Sequence, residues 1–117
     1  MSEDILDLNE FLERVQNDQD LLLELLDIFV ADFQEKRVLL AEAIEKKDYE
    51  QIRGIAHSLK GASGNISAKV VRQTFIKLED MGKRGDMTGA AELLSALDQQ
   101  FKDFLVRIST VKNELKG

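Results

Sequence analysis

The sequence predicts an all-α protein, and three observations indicate this class. Apolar residues recur at spacings of three and four along most of the 117 residues. The chain contains no proline, a residue that interrupts helices. No segment shows the pattern of a convincing strand. Because short connections between long amphipathic helices make antiparallel neighbours, we expect an up-and-down antiparallel four-helix bundle with a short additional N-terminal helix, forming one domain over residues 1–117.

A short helix and then a long helix are predicted in the first part of the chain. The short helix runs from about Leu8 to Gln16. The motif NDQD at Asn17–Asp20 supplies residues that cap the long helix, which ends where the apolar pattern fades at EKKD. The residues predicted to be buried are Phe11, Leu12 and Val15 in the short helix, and Leu22, Leu25, Leu26, Phe29, Phe33, Leu40 and Ile44 in the long helix.

Three more helices follow. They run from about Tyr49 to Gly64, from about Ala68 to Lys83 and from about Thr88 to Leu115. Asp48 is a good cap for the first of these, and Gly64-Asn65 is a plausible stop. The segment GKRGD at Gly82–Asp86 is expected to break the next one. The predicted inward residues are Val71, Phe75, Leu78, Leu93, Leu97, Phe101, Phe104, Ile108, Val111 and Leu115.

Charge and composition argue against several classes of function. The net charge of −6, from 22 acidic and 16 basic residues, would be repelled by nucleic acids and by anionic membranes. The most apolar run, Leu21–Phe33, is interrupted by Glu24, Asp27 and Asp32, so it is not a membrane span. We therefore expect neither nucleic acid nor a membrane as partner, and we expect a monomer.

The expected location is the cytoplasm. The N-terminal segment MSEDILDLNE is acidic and lacks the pattern of a secretion signal. The absence of cysteine fits a reducing compartment. It also excludes cysteine-ligated metals, and a single histidine excludes a histidine-rich metal site.

The third predicted helix has two distinct faces at about 100° per residue. Its apolar face contains Ile52, Ile55, Ala56, Leu59 and Ala62, and its opposite face contains Glu50, Arg53, His57, Lys60, Gly61 and Gly64. His57, the one histidine, therefore points away from the core. Glycine inside a helix costs about 1 kcal/mol relative to alanine, and on the exposed face Gly61 has no packing reason within the bundle. Its missing side chain leaves room for another molecule to approach the imidazole.

This arrangement favours phosphoryl transfer, although each residue also has a simpler interpretation. A neutral imidazole is a competent nucleophile, and a nearby ammonium stabilises the charge of the transferred group. His57 could instead be an idle surface histidine, Lys60 a solvated charge, and Gly64 only a helix stop. The chain lacks a G-x-x-x-x-G-K-[ST] loop and a kinase glycine loop. We therefore expect a carrier of phosphate without ATP-dependent kinase activity.

The segment AHSLKGASGNISA, Ala56–Ala68, resembles the signature of histidine-containing phosphotransfer (HPt) domains. The similarity extends to LLELLDIFVADF, to KKDYEQIRGIAHSLKG and to GKRGD. It implies a four-helix bundle whose histidine accepts a phosphoryl group from an aspartate of a receiver domain and passes it to another receiver. It also implies that magnesium is bound by the receiver and that this chain itself holds no cofactor.

The resemblance implies a role for individual residues. His57 would be the phosphoacceptor, and Lys60 would lie near the phosphoryl oxygens. The residues expected on the docking surface are Arg53, Gly61, Gly64 and Asn65. Ser67 stands where the family usually has glycine, so the turn before the next helix is expected to differ slightly.

Two other classes of function remain open at this point. A docking module that binds receivers or other helices without accepting phosphate would keep the bundle, but His57 would then be dispensable. A hydrolase is the weaker alternative, because neither a Ser-His-Asp arrangement nor a pair of catalytic carboxylates is visible.

Overall fold

A computed structural model describes residues 2–116, and six helices and no strand are present in that range. The helices are α1 (Ser2–Ile5), α2 (Leu8–Arg14), α3 (Gln19–Lys46), α4 (Tyr49–Asn65), α5 (Lys69–Arg84) and α6 (Ala90–Lys116). The four long helices, α3 to α6, form the predicted up-and-down bundle. The prediction missed α1, because a single turn is too short to show a helical period.

Side-chain pairs between α3 and α6 show how these two helices run. The guanidinium of Arg37 donates to the carboxylate of Asp98 at 2.6 and 2.9 Å, and Lys112 donates to Asp27 at 3.2 Å. Residues later in α3 therefore pair with residues earlier in α6. The two helices are antiparallel, as the short connections of the sequence predicted.

Aromatic rings fill the centre of the bundle. Phe33 stacks on Phe101 with ring centroids 4.0 Å apart, and Phe29 meets the edge of Phe104 at 5.4 Å. Phe75 of α5 lies 6.0 Å from Phe33. Such ring pairs stabilise a core beyond the area they bury. The inward stripes predicted for α3, α5 and α6 meet here, although Leu25, Ile44, Leu93 and Leu115 are only partly buried.

The predicted helix starts are confirmed by the capping contacts. Asp18 accepts a hydrogen bond from the backbone N–H of Leu21 at 3.0 Å, and Asp48 accepts one from Gln51 at 3.2 Å. Each carboxylate thus satisfies a backbone donor that has no partner within its helix.

The predicted break of α5 within Gly82–Asp86 is confirmed, and it falls at Gly85. Gly82 lies inside α5 and is buried, and the helix continues to Arg84. The chain leaves the helix at Gly85, which has φ +63°. Glycine occupies that left-handed region without a steric cost.

The two N-terminal helices pack at the turn between α4 and α5. Leu6 and Phe11 are completely buried, and the backbone N–H of Asp7 donates to the carbonyl of Ser67 at 3.0 Å. Arg14 donates to the carbonyl of Gly64 at 2.8 Å. The N-terminal segment therefore holds the end of α4 in place. Over residues 2–116, none of the helices has an apolar stretch long enough to cross a membrane.

Candidate functional site

The core side of α4 fixes the direction of its exposed side. Ile52, Ala56 and Leu59 are completely buried, as the helical period of the sequence predicted. His57 follows one of these anchors directly, and 64% of its side chain is exposed. The imidazole thus lies on a rigid helix at the surface, because the buried residues leave α4 little freedom to rotate.

A buried glutamate of α5 contacts the histidine. Oε2 of Glu79 lies 2.7 Å from Nδ1 of His57, and Oε1 accepts a hydrogen bond from Nζ of Lys60 at 2.7 Å. Only 6% of the Glu79 side chain is exposed. Lys83 lies one turn further along α5, with Nζ 3.9 Å from Oε2. The predicted residues His57 and Lys60 are therefore joined through a carboxylate.

The charges around Glu79 decide which nitrogen of His57 carries a proton. The hydrogen bond from Lys60 is the main cause that lowers the pKa of Glu79 to about 2, aided by His57 and Lys83 and opposed by burial. An ionised carboxylate only accepts hydrogen bonds. Nδ1 must then be the donor, so a neutral His57 presents the lone pair of Nε2 to the solvent.

The flank of His57 at Gly61 is open. A Cβ added at Gly61 would meet no atom within 4 Å apart from the local helix backbone. The same is true of Gly54, one turn before His57. Tight packing within the bundle therefore does not explain Gly61, and a molecule that approaches the imidazole along α4 meets no side chain there.

The other predicted surface residues lie along the same helix. Arg53 is partly exposed and donates to Glu50 at 2.7 Å. Gly64 is half-buried, and Asn65 is exposed at the end of α4. A Cβ at Gly64 would lie 3.2 Å from Nε of Arg72, a flexible side chain. The structure thus brings His57 and Lys60 together through Glu79 and arranges Arg53, Gly61, Gly64 and Asn65 along one helix.

Sequence reasoning missed two residues of α5 that shape the site. Glu79 lies one turn after the buried Phe75, on the same face of α5. A carboxylate within an apolar stripe is unusual, and this could have indicated that Glu79 has a partner in the site. Gly82 follows one turn later, and a Cβ there would lie 2.7 Å from the backbone nitrogen of Arg53. The missing side chain lets α4 and α5 approach closely, and this approach brings Glu79 to His57.

A serine in the turn between α4 and α5 adopts a backbone conformation that is usual for glycine. Ser67 is buried and has φ +59°, a region that costs an L-residue roughly 1–2 kcal/mol. Its hydroxyl donates to Oε1 of Glu10 at 2.6 Å, and hydrogen bonds to charged groups contribute about 1.5–3 kcal/mol. The contact with α2 therefore offsets the strain of this turn.

No cluster of metal ligands accompanies these residues. Among the residues that the structure describes, no group of three or more histidine, aspartate and glutamate side chains is arranged to hold a metal ion. The site therefore consists of the exposed imidazole of His57, the buried carboxylate of Glu79 and the ammonium groups of Lys60 and Lys83.

Comparisons with known proteins identify the family of this chain. A sequence model of the Hpt domain matches residues 24–108. Histidine-containing phosphotransfer protein 2 of Arabidopsis thaliana is 23% identical over 107 residues, which cover 87% of this chain and 69% of the plant protein. The crystal structure of histidine-containing phosphotransfer protein B (HptB) from Pseudomonas aeruginosa PAO1 superposes with a TM-score of 0.85 at 26% identity, covering 94% of this chain and 96% of that one. The chain belongs to the Hpt domain family.

Proposed function

We propose that this protein is a phosphoryl carrier of a two-component phosphorelay that accepts a phosphoryl group on His57 from an aspartyl phosphate of a receiver domain and passes it to a second receiver. The observation that carries the proposal is the contact of 2.7 Å between Nδ1 of His57 and the buried carboxylate of Glu79, which leaves Nε2 free on an exposed ring.

The geometry supports the following acceptance step. The lone pair of Nε2 attacks the phosphorus, the N–P bond forms, and the bond between phosphorus and the aspartyl oxygen breaks. Its electron pair returns to the receiver's carboxylate. The ring of His57 then carries a positive charge, which Glu79 stabilises through the proton on Nδ1. Transfer to the second receiver reverses these bonds, and the imidazole leaves as a neutral ring.

Lys60 has a supporting role in this proposal. Its ammonium group is held by Oε1 of Glu79 at 2.7 Å, and 26% of the side chain remains exposed. Because Lys60 lies within one turn of His57, its positive charge stabilises the phosphoryl oxygens. We expect the receiver to contribute the magnesium ion and the open flank at Gly61 to admit that domain. Family members interact with receiver domains, and we propose that this chain does so as a monomer.

The test of the proposal is the substitution His57→Gln. Wild-type and substituted proteins are incubated with phosphorylated receiver domains of the same cell, and label on this chain is followed. We expect acid-labile, alkali-stable label on the wild-type protein and none on the variant. The substitution removes the hydrogen bond between Nδ1 of His57 and the buried carboxylate of Glu79, so the free energy of unfolding should fall by about 1.5 kcal/mol.

Two results would contradict the proposal that this protein carries a phosphoryl group on His57. Equal labelling of both proteins would place the phosphoryl group on another residue. Receiver binding by the wild-type protein without any label would instead favour the docking module.

A further inference from the structure

A basic cavity lies beside the phosphoacceptor helix. It has a volume of about 490 Å³ and opens between α2, the end of α4 and the start of α5. Its charged lining residues are Arg14, Lys60, Lys69, Arg72 and Glu10. Four cations thus face one carboxylate in a chain whose net charge is −6. The cavity is a local exception to the charge of the whole molecule.

Arg72 is the cation of this cavity that has no internal counterion. Its guanidinium makes no hydrogen bond or ion pair with any residue in the described part of the chain. Its side chain is half-buried and passes over Gly64, where a Cβ would lie 3.2 Å from its Nε. A guanidinium presents several donors in one plane, which matches the two oxygens of a carboxylate.

The other cations of the basic cavity already have partners. Arg14 donates to Glu10 at 3.2 Å and to the carbonyl of Gly64 at 2.8 Å. Lys69 donates to Asp7 at 3.1 Å, and Lys60 donates to Glu79. These contacts fix the walls of the cavity, and they leave Arg72 as the group that a ligand would neutralise.

The position of the basic cavity ties it to whatever protein approaches His57. Lys60, Gly61 and Gly64 line the cavity, and Gly61 and Gly64 follow His57 by about 6 and 10 Å along α4. A protein interface of ordinary size covers about 800 Å² on each partner. A domain that contacts His57 across the open flank at Gly61 therefore also covers the cavity.

We propose that the basic cavity is a docking site for an acidic side chain of the receiver domain, and that Arg72 binds its carboxylate. This inference rests on the proposed function, because the receiver is the protein that approaches His57. A partner with acidic groups is repelled by most of this surface and attracted at the cavity, so the ion pair sets the orientation of docking.

The experiment measures the dissociation constant of a receiver domain that has first been shown to exchange label with His57. Arg72→Gln is compared with Lys102→Gln, an exposed lysine of α6 whose substitution removes the same charge. We expect Arg72→Gln to weaken binding about tenfold, which is the usual effect of losing a charge-assisted hydrogen bond. Lys102→Gln should remain within about twofold of the wild type. Arg72→Lys keeps the positive charge but loses the planar pair of donors, so its dissociation constant should lie between those of Arg72→Gln and Lys102→Gln.

A double-mutant cycle identifies the partner group. Each surface aspartate and glutamate of the receiver is replaced by its amide and measured against both wild-type protein and Arg72→Gln. We expect one receiver substitution to weaken binding to the wild type and to have no further effect on Arg72→Gln. Additive effects at every receiver position would overturn the proposal.

The possible outcomes separate this inference from the proposed function. If no receiver labels His57, the proposed function fails. If label transfer is normal but Arg72→Gln binds the receiver as tightly as Lys102→Gln does, the proposed carrier function is supported and the proposed docking site is overturned. If inorganic phosphate shifts the Nε resonance of Arg72 while receiver affinity is independent of Arg72, the cavity binds a free anion and the docking site is again overturned.

Discussion

Two glycines lie near His57, and the space around them differs. Gly61 lies on the exposed flank of α4, and Gly82 lies in the contact between α4 and α5. At Gly61 an added Cβ would meet open space, whereas at Gly82 it would lie 2.7 Å from the nitrogen of Arg53 and 2.9 Å from the carbonyl oxygen of Tyr49. One glycine leaves room for a molecule outside the protein. The other lets two helix backbones touch.

The two glycines act on the same side chain from different directions. Because α4 and α5 are antiparallel, the contact of Gly82 with Arg53 places Glu79 one turn away beside His57. The helix contact at Gly82, which we call the closed side, therefore orients the imidazole. The flank at Gly61, which we call the open side, exposes it. The proposed transfer needs both, since an oriented imidazole that no receiver can reach transfers nothing.

The largest expected effect is on the closed side. Gly82→Ala should lower the free energy of unfolding by about 3 kcal/mol, the upper part of the usual range for overpacking, because the atoms it would strike are backbone atoms. Chemical denaturation measures this change. The matched control is Gly61→Ala, which should stabilise the protein by about 0.5–1 kcal/mol. Equal effects of the two substitutions would remove the contrast between the two sides.

The second effect concerns the buried charge on the closed side. The pKa of Glu79 is lowered from 4.5 to about 2 in the folded protein. As pH falls, the unfolded chain binds the proton first, so this contribution to stability is complete above about pH 4.5 and is lost on the way to pH 2. We expect the wild type to lose about 2–3 kcal/mol more than Glu79→Gln between pH 5 and pH 2.

Chemical denaturation at several pH values, with the two proteins measured in parallel, isolates the contribution of Glu79 from that of the other carboxylates. Parallel curves for the two proteins would show that Glu79 is not the ionised partner of Lys60.

A smaller effect is expected at Ser67, where a residue with a side chain has the conformation of a glycine. Ser67→Ala keeps the strain at φ +59° and loses the hydrogen bond to Glu10, so it should cost about 1.5–2 kcal/mol, the lower part of the range for a bond to a charged group. Ser67→Gly loses the same bond but relieves the strain, and should therefore be more stable than Ser67→Ala by about 1 kcal/mol. Thermal unfolding of the pair gives the difference. The reverse order would mean that the turn is not strained.

The smallest effect on stability is expected at the open flank. Gly61→Gln should stabilise the protein by about 0.5 kcal/mol, because glutamine is the better helix former. Transfer from a phosphorylated receiver should nevertheless become slower, since the new side chain projects beside His57. Melting temperature and transfer rate are measured on one preparation. A destabilised variant with normal transfer would rule out access as the reason for Gly61.

Most of the fold could be predicted because it depends on patterns that are local in sequence. The spacing of Leu97, Phe101 and Phe104 marks the inner face of α6, and Asp18 and Asp48 mark helix starts through contacts three residues away. The exposed position of His57 follows from the same periodicity. The helix α1 has only four residues, so it shows no helical period. The segment Gly82–Asp86 contains two glycines, and the sequence does not show which of them ends α5, because that depends on which one packs against another helix.

The helices, their inward faces and an outward histidine beside a lysine and a glycine could all be predicted, because each follows from spacing along one helix. Three features became visible only when the helices were packed together: Glu79 contacts both His57 and Lys60, Gly82 lies in a contact between helices, and the guanidinium of Arg72 lies unpaired over Gly64. These features join residues of different helices. Their distances depend on how closely the helix axes approach, and helical periodicity contains no information about that distance.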